Sequence, residues 1–198
     1  TANPQLQLPK RTKLNRPKPS TPTLKKRKSA FSMSHAPHPI RLIVTGGTFD
    51  KEYDEIGGRL FFKDTHVAEM LRLGRATIDI KLQTLMMIDS LDMTDADRSK
   101  ILDCVTACKE EHIVITHGTD TMATTARTLG QANLGKTIVL TGAMVPYKFG
   151  SSDGLFNLGA SLAFAQTLPH GVYVAMNGRS LPWNNVTKNK VTGEFGPL

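Results

Sequence analysis

An α/β fold is predicted, a doubly wound, mostly parallel sheet with helices on both faces, and three features of the chain predict it. From residue 40 onward short apolar runs alternate with helical stretches. The runs are near-continuous, as in strands buried on both faces, rather than alternating between apolar and polar. The first three strands each end in hydroxyls or carboxylates: Thr45 and Thr48, Asp89 and Ser90, Thr119 and Asp120. In a parallel sheet those carboxyl ends share one edge, which is where ligands bind.

Each element has its own local reason. Ile40-Arg41-Leu42-Ile43-Val44 is the first strand, ending at Thr45-Gly46-Gly47-Thr48. Residues 49–62 carry Gly57-Gly58 between Tyr53 and Leu60-Phe61-Phe62, the pattern of an irregular hairpin or flap. His66–Leu73 reads as a short helix, and residues 81–87 as the second sheet strand. Thr94 followed by Asp97 resembles a capping box, with a helical face through Ile101, Leu102, Val105 and Cys108 behind it. Ile113 to Thr116 forms the central strand, running through Gly118 into a helix over 121–131. There Asp120 and Thr121 stand where a helix start needs side-chain acceptors; on spacing alone, capping and ligand binding both account for them. Thr137–Thr141 is the next strand, Ser152-Asp153 opens a helix to about Gln166, and Val172–Met176 is the fifth strand.

Charge divides the 198 residues in two. Of the 25 basic residues, nine lie in 1–39 together with none of the 17 acidic ones, which leaves 40–198 with 16 against 17. The same stretch holds seven of the eleven prolines and no hydrophobic period, so a disordered basic arm is expected at 1–39, ahead of a single domain at 40–198. Lys25-Lys26-Arg27-Lys28 suits nucleic-acid contact or an import signal, although most such runs are solvated charge. Nucleic acid is therefore not expected as a partner except through the arm. Met33 just before the first strand is the expected native start, which would make the arm upstream or non-native sequence. No run reaches the roughly 18 apolar residues of a membrane span. Cys104 and Cys108, four apart and without His or Cys partners, are expected to be small core residues in a reducing compartment.

The motifs exclude several chemistries. There is no G-x-S-x-G elbow, and Gly46-Gly47 fits neither a dinucleotide fingerprint nor a P-loop. Threonines converging with a carboxylate, and no metal-ligand set, point to threonine-based acyl transfer. His117 is expected to fix its loop, and Met86, Met87 and Met93 to pack in the core. Trp183-Asn184-Asn185 is expected to pack against the loop that delivers Lys188, and residues 146–150 to border the pocket.

At Thr45-Gly46-Gly47-Thr48 and His117-Gly118-Thr119-Asp120-Thr121 the chain resembles the bacterial-type L-asparaginases, the asparaginase/glutaminase family. Supporting similarity lies in Asp89-Ser90-Leu91-Asp92-Met93, Thr141–Pro146, Ser152-Asp153-Gly154 and Val186-Thr187-Lys188, over roughly residues 40–195. The chain matches the large N-terminal domain only, as in short single-domain forms. The resemblance implies Thr48 as nucleophile, Thr119, Asp120 and Lys188 as a second reactive cluster, and Tyr53 as the flap tyrosine, at shorter spacing than in two-domain members. It implies substrate contacts at Ser90 and Asp120, with Gly47, Gly118 and Asp89 beside them, and it requires no metal or other cofactor. Leu91 departs from the polar contact that many members place there. The expectation is hydrolysis of L-asparagine to L-aspartate and ammonia by a cytoplasmic homo-oligomer, dimer or tetramer. A relative acting on glutamine or another amide, and a non-catalytic amino-acid-binding domain, are the alternatives.

Overall fold

The computed structural model describes residues 38–198. Expectations about the arm, other than for His38 and Pro39, which are exposed, lie outside the described residues.

The main sheet contains β1 (Ile40–Gly46), β4 (Ile80–Ile88), β5 (His112–Thr116), β6 (Thr137–Thr141), β7 (Gly171–Met176) and β8 (Arg179–Pro182). Its order is β4-β1-β5-β6-β7-β8, parallel except for β8. Taken in chain order, the five parallel strands lie 2-1-3-4-5. The order therefore reverses between β1 and β5, and such a switch point opens a crevice beyond the strand ends.

The crossovers are α1 (Val67–Leu73), α2 (Asp95–Ala107), α3 (Met122–Gln131) and α4 (Gly154–Thr167). One core joins Ile43, Ile113, Ile115 and Leu140 of the sheet to Ile101 and Val105 of α2 and Met122 and Leu129 of α3. The other joins Leu42, Val44, Val114 and Val139 to Val67 and Met70 of α1 and Leu158 and Leu162 of α4. Neighbouring residues of one strand thus enter opposite cores, which explains the near-continuous apolar runs. The sheet carries helices on both faces, as expected.

Residues 49–62 form a flap: a 3-10 turn at Thr48–Asp50, then β2 (Lys51–Asp54) paired antiparallel with β3 (Arg59–Phe62). The Thr94 capping box is present in both directions. A cap from Asp120 or Thr121, one of the two readings left open on spacing, is absent: α3 opens at Met122 without a side-chain cap. The fifth strand is not the last. Asn177 and Gly178, both at positive φ, turn the chain into β8, which pairs back from Met176↔Arg179 to Tyr173↔Pro182. Trp183 then lies against Gly130 at the end of α3, and buried Val186 leads to β9 (Thr187–Lys188), paired with β10 (Phe195–Gly196). Among the described residues, no helix is long and apolar enough to cross a membrane.

Candidate active site

Three strand-end segments meet at the switch point, and glycines let them. Val44 of β1 pairs with Thr116 of β5, and the Thr45 hydroxyl donates to the Thr116 carbonyl at 2.8 Å. Thr48 and Thr119 therefore follow four and three residues after one paired rung. Gly47, at φ 87°, packs so closely that a Cβ there would lie 2.4 Å from the Gly118 nitrogen. Gly118 in turn leaves no room beside Ser90: its Cβ would sit 2.5 Å from Ser90 Oγ and 3.0 Å from Ser90 N. Backbone contact thus runs from 47 through 118 to 90. Thr48 lies half-buried in the 3-10 turn that follows, on the same edge of the sheet as Thr119.

The second cluster is assembled from β9. Lys188 Nζ donates to Thr119 Oγ1 at 2.8 Å and to Asp120 Oδ1 at 2.7 Å. Its side chain is 14% exposed and that of Asp120 47%, so the ammonium is largely covered while the carboxylate reaches the rim. This pairing accounts for the missing cap: the Asp120 carboxylate faces Lys188 rather than the N–H groups of α3. The Thr121 hydroxyl donates instead to the Ser90 carbonyl at 2.8 Å, which holds the Ser90 turn. Ser90 Oγ is buried and has no hydrogen-bond partner among the described residues. A buried hydroxyl without a partner costs free energy unless a ligand supplies one.

His117 supports the turn from below. Its ring is fully buried, with Nδ1 2.7 Å from the Gly118 carbonyl and Nε2 2.8 Å from the Thr125 hydroxyl. A carbonyl only accepts, so Nδ1 carries the proton and Nε2 accepts from Thr125. Burial pushes the imidazole down to about 4, against a smaller upward pull from the Gly118 carbonyl. The ring is neutral at pH 7 and structural, as its sequence context suggests.

Other candidate residues make different contacts. Tyr53 lies on β2 and is 57% exposed. Leu91 is 71% exposed. The Asp89 carboxylate is occupied by its own turn, accepting from Leu91 N at 3.0 Å and from Lys51 Nζ. Burial, the largest single influence, would raise that carboxyl, but the Lys51 hydrogen bond, the Leu91 N–H and the Lys51 charge together outweigh it and hold the group below its ordinary value.

Sequence reasoning missed two residues that tie the flap to the site. Lys51, at the foot of β2, pairs with Asp89 and so joins the flap to the segment carrying Ser90. Asp50 is fully buried; its Oδ1 accepts from His66 N at 2.8 Å and Thr65 Oγ1 at 3.0 Å, fastening the Thr48 turn to the far foot of the flap. Burial raises the Asp50 carboxyl, against the lowering effect of those two hydrogen bonds. The 3-10 turn Tyr147–Phe149 packs against the Thr48–Asp50 turn, so the segment after β6 does border the site.

The family model "Asparaginase, N-terminal" matches residues 39–194. L-asparaginase 1 of Escherichia coli strain K12 is 34% identical over 164 residues, covering 78% of this chain and 48% of that protein. Among solved structures, L-asparaginase I from Vibrio cholerae superposes with a TM-score of 0.74 at 29% identity, covering 82% of this chain and 52% of the other. The thermostable L-asparaginase from Thermococcus kodakarensis gives 0.72 at 28%, covering 81% and 51%. The chain thus spans about half the length of the relatives it matches. With two threonine-bearing turns abutting at the switch point, and the match running from β1 to the β9–β10 hairpin, this chain belongs to the asparaginase family, over the part its N-terminal domain model describes.

Proposed function

We propose that this chain hydrolyses the side-chain amide of L-asparagine to L-aspartate and ammonia, through an acyl-enzyme on Thr48. The observation that carries the reading is the close backbone contact of Gly47 with Gly118, which brings the Thr48 turn beside the Thr119–Asp120–Lys188 cluster. An amide is a poor electrophile, and dividing its hydrolysis into acylation and deacylation lowers each barrier. Thr48 Oγ attacks the amide carbon, its hydroxyl proton passes to the leaving nitrogen as the C–N bond breaks and ammonia departs, and water then cleaves the ester, releasing aspartate and returning a proton to Thr48 Oγ. Lys188 Nζ lies within hydrogen-bond distance of both Thr119 Oγ1 and Asp120 Oδ1, and so orients Thr119 at the edge of the site. Backbone N–H groups of the 118–120 turn would stabilise the oxyanion, by about 3 kcal/mol per donor in comparable hydrolases. The unpartnered Ser90 hydroxyl suits the substrate α-carboxylate, and half-exposed Asp120 its α-ammonium.

Exposure of Tyr53 and Leu91 favours a second reading within the same chemistry. A site walled so lightly by its own chain would also take glutamine or a larger amide. A homo-oligomer, dimer or tetramer, belongs to the same proposal, since a second copy would close the open side. So does a cytoplasmic location, which the two free cysteines fit. Ammonia release from asparagine and from glutamine, by the parent and by Thr48→Ala, tests the reading. Loss of turnover with folding and asparagine binding retained is expected; full turnover in Thr48→Ala would end the nucleophile assignment.

A further inference from the structure

The chain has two cysteines, and the chemistry above uses neither. Both are free, partly buried and line one open cavity of about 670 Å³, between α2 and the edge strand β4, with Arg41, Gln83 and Lys109. We infer that Cys104 and Cys108 form a two-coordinate thiolate site for a soft monovalent cation of the Cu(I) class.

Geometry supports the pair. Cys104 lies in the last turn of α2 and Cys108 caps it, its N–H donating to the Cys104 carbonyl at 3.2 Å, so the pair keeps the four-residue helical spacing of about 5–6 Å at Cβ. Two metal–thiolate bonds in line, each of about 2.3 Å, span about 4.6 Å. The Cys108 thiol already points back one turn, donating to the Cys104 carbonyl at 3.1 Å. Bridging therefore requires side-chain rotation and no movement of the helix. Gln83 Nε2 donates to Cys104 Sγ at 3.5 Å, an outer donor that suits a thiolate better than a thiol.

Charge supports it as well. Binding follows 2 RSH + M⁺ → [M(SR)₂]⁻ + 2 H⁺, so the loaded site carries one negative charge. Arg41 is held by Glu110, its Nη2 donating to Oε1 at 2.9 Å, while Lys136 Nζ donates to the carbonyls of Cys108 at 2.5 Å and Glu110 at 3.0 Å and so sets a cation beside the loaded site. Among the described residues no group of three or more His, Cys, Asp or Glu could hold a metal, which disfavours zinc, whereas two thiolates satisfy Cu(I).

Ag(I), a redox-inert probe of the same class, tests the site on the full chain in chloride-free buffer. Native mass spectrometry is expected to find one silver per chain, and calorimetry in buffers of different ionisation enthalpy about two protons released per ion. Cys104→Ser and Cys108→Ser should each weaken binding by about 100-fold or more. Two silver ions per chain, one proton per ion, or parental affinity in either variant would overturn the assignment. Stoichiometry and proton release on the parent decide it even if a variant folds poorly.

Discussion

Replacing Gly118 by Ala tests the packing that joins the three strand ends. Gly118 does not have a positive φ, so the substitution adds a methyl without backbone strain. That methyl would lie 2.5 Å from Ser90 Oγ, 2.6 Å from Ser90 Cβ and 3.0 Å from Ser90 N. Ordinary contact begins near 3.4 Å, so Ser90 must retreat by about 1 Å. Its backbone nitrogen is among the crowded atoms, and a rotamer change alone cannot relieve the clash. A misplacement of about 1 Å at a positioning residue can cost about 100-fold in rate, and overpacking costs about 1–3 kcal/mol in stability. Thermal unfolding should therefore shift down by several degrees, at about 2–4 °C per kcal/mol. Asparagine kcat/KM, followed as ammonia release, should fall by about two orders of magnitude. A Gly118→Ala protein with the parent's melting temperature and kcat/KM within threefold would refute the close approach of residues 118 and 90.

Lys51→Met removes the link between flap and Ser90 segment while keeping the aliphatic stem; KM for asparagine is expected to rise more than kcat falls, and Lys51→Arg to restore most of it. An equal loss in the Arg and Met variants would count against the ion pair. The buried neutral His117 makes stability depend on acid. The unfolded ring binds a proton near 6.5 and the folded ring only near 4, so stability is fully present above 6.5 and lost as pH falls towards 4. That loss amounts to about 2–3 kcal/mol by pH 4.5. Urea unfolding of the parent and of His117→Gln at pH 7 and 4.5 checks it, and an equal pH response in both proteins would exclude His117 as the source.

Much of the fold, and the strand ends that carry the candidate site, are legible in the sequence. The five parallel strands announce themselves because each is an apolar run that must satisfy a core on either face. Thr48, Ser90 and Thr119 were legible because the end of a parallel strand is a fixed place. Strand β8 escaped notice, being four residues with Arg at one end and Pro at the other, as suits an edge. Asn177-Gly178 was its available signal, a dipeptide that favours the hairpin turn observed. Asp50 and Lys51 left no such trace. Their partners lie 16 and 38 residues away, and no periodicity records a side chain's choice between distant acceptors.

The sequence by itself determined the layered α/β architecture, the division into acid-free arm and near-neutral body, and the segments that bear hydroxyls. Apolar periodicity, glycine placement and charge are local properties, readable residue by residue. Only the tertiary structure decided that Asp120 turns to Lys188 instead of capping α3, that Lys51 fastens the flap to Asp89, and that Gly47, Gly118 and Ser90 pack without space for a Cβ. Each of those outcomes is a competition among partners far apart in the chain. The order in which the strands lie side by side settles it.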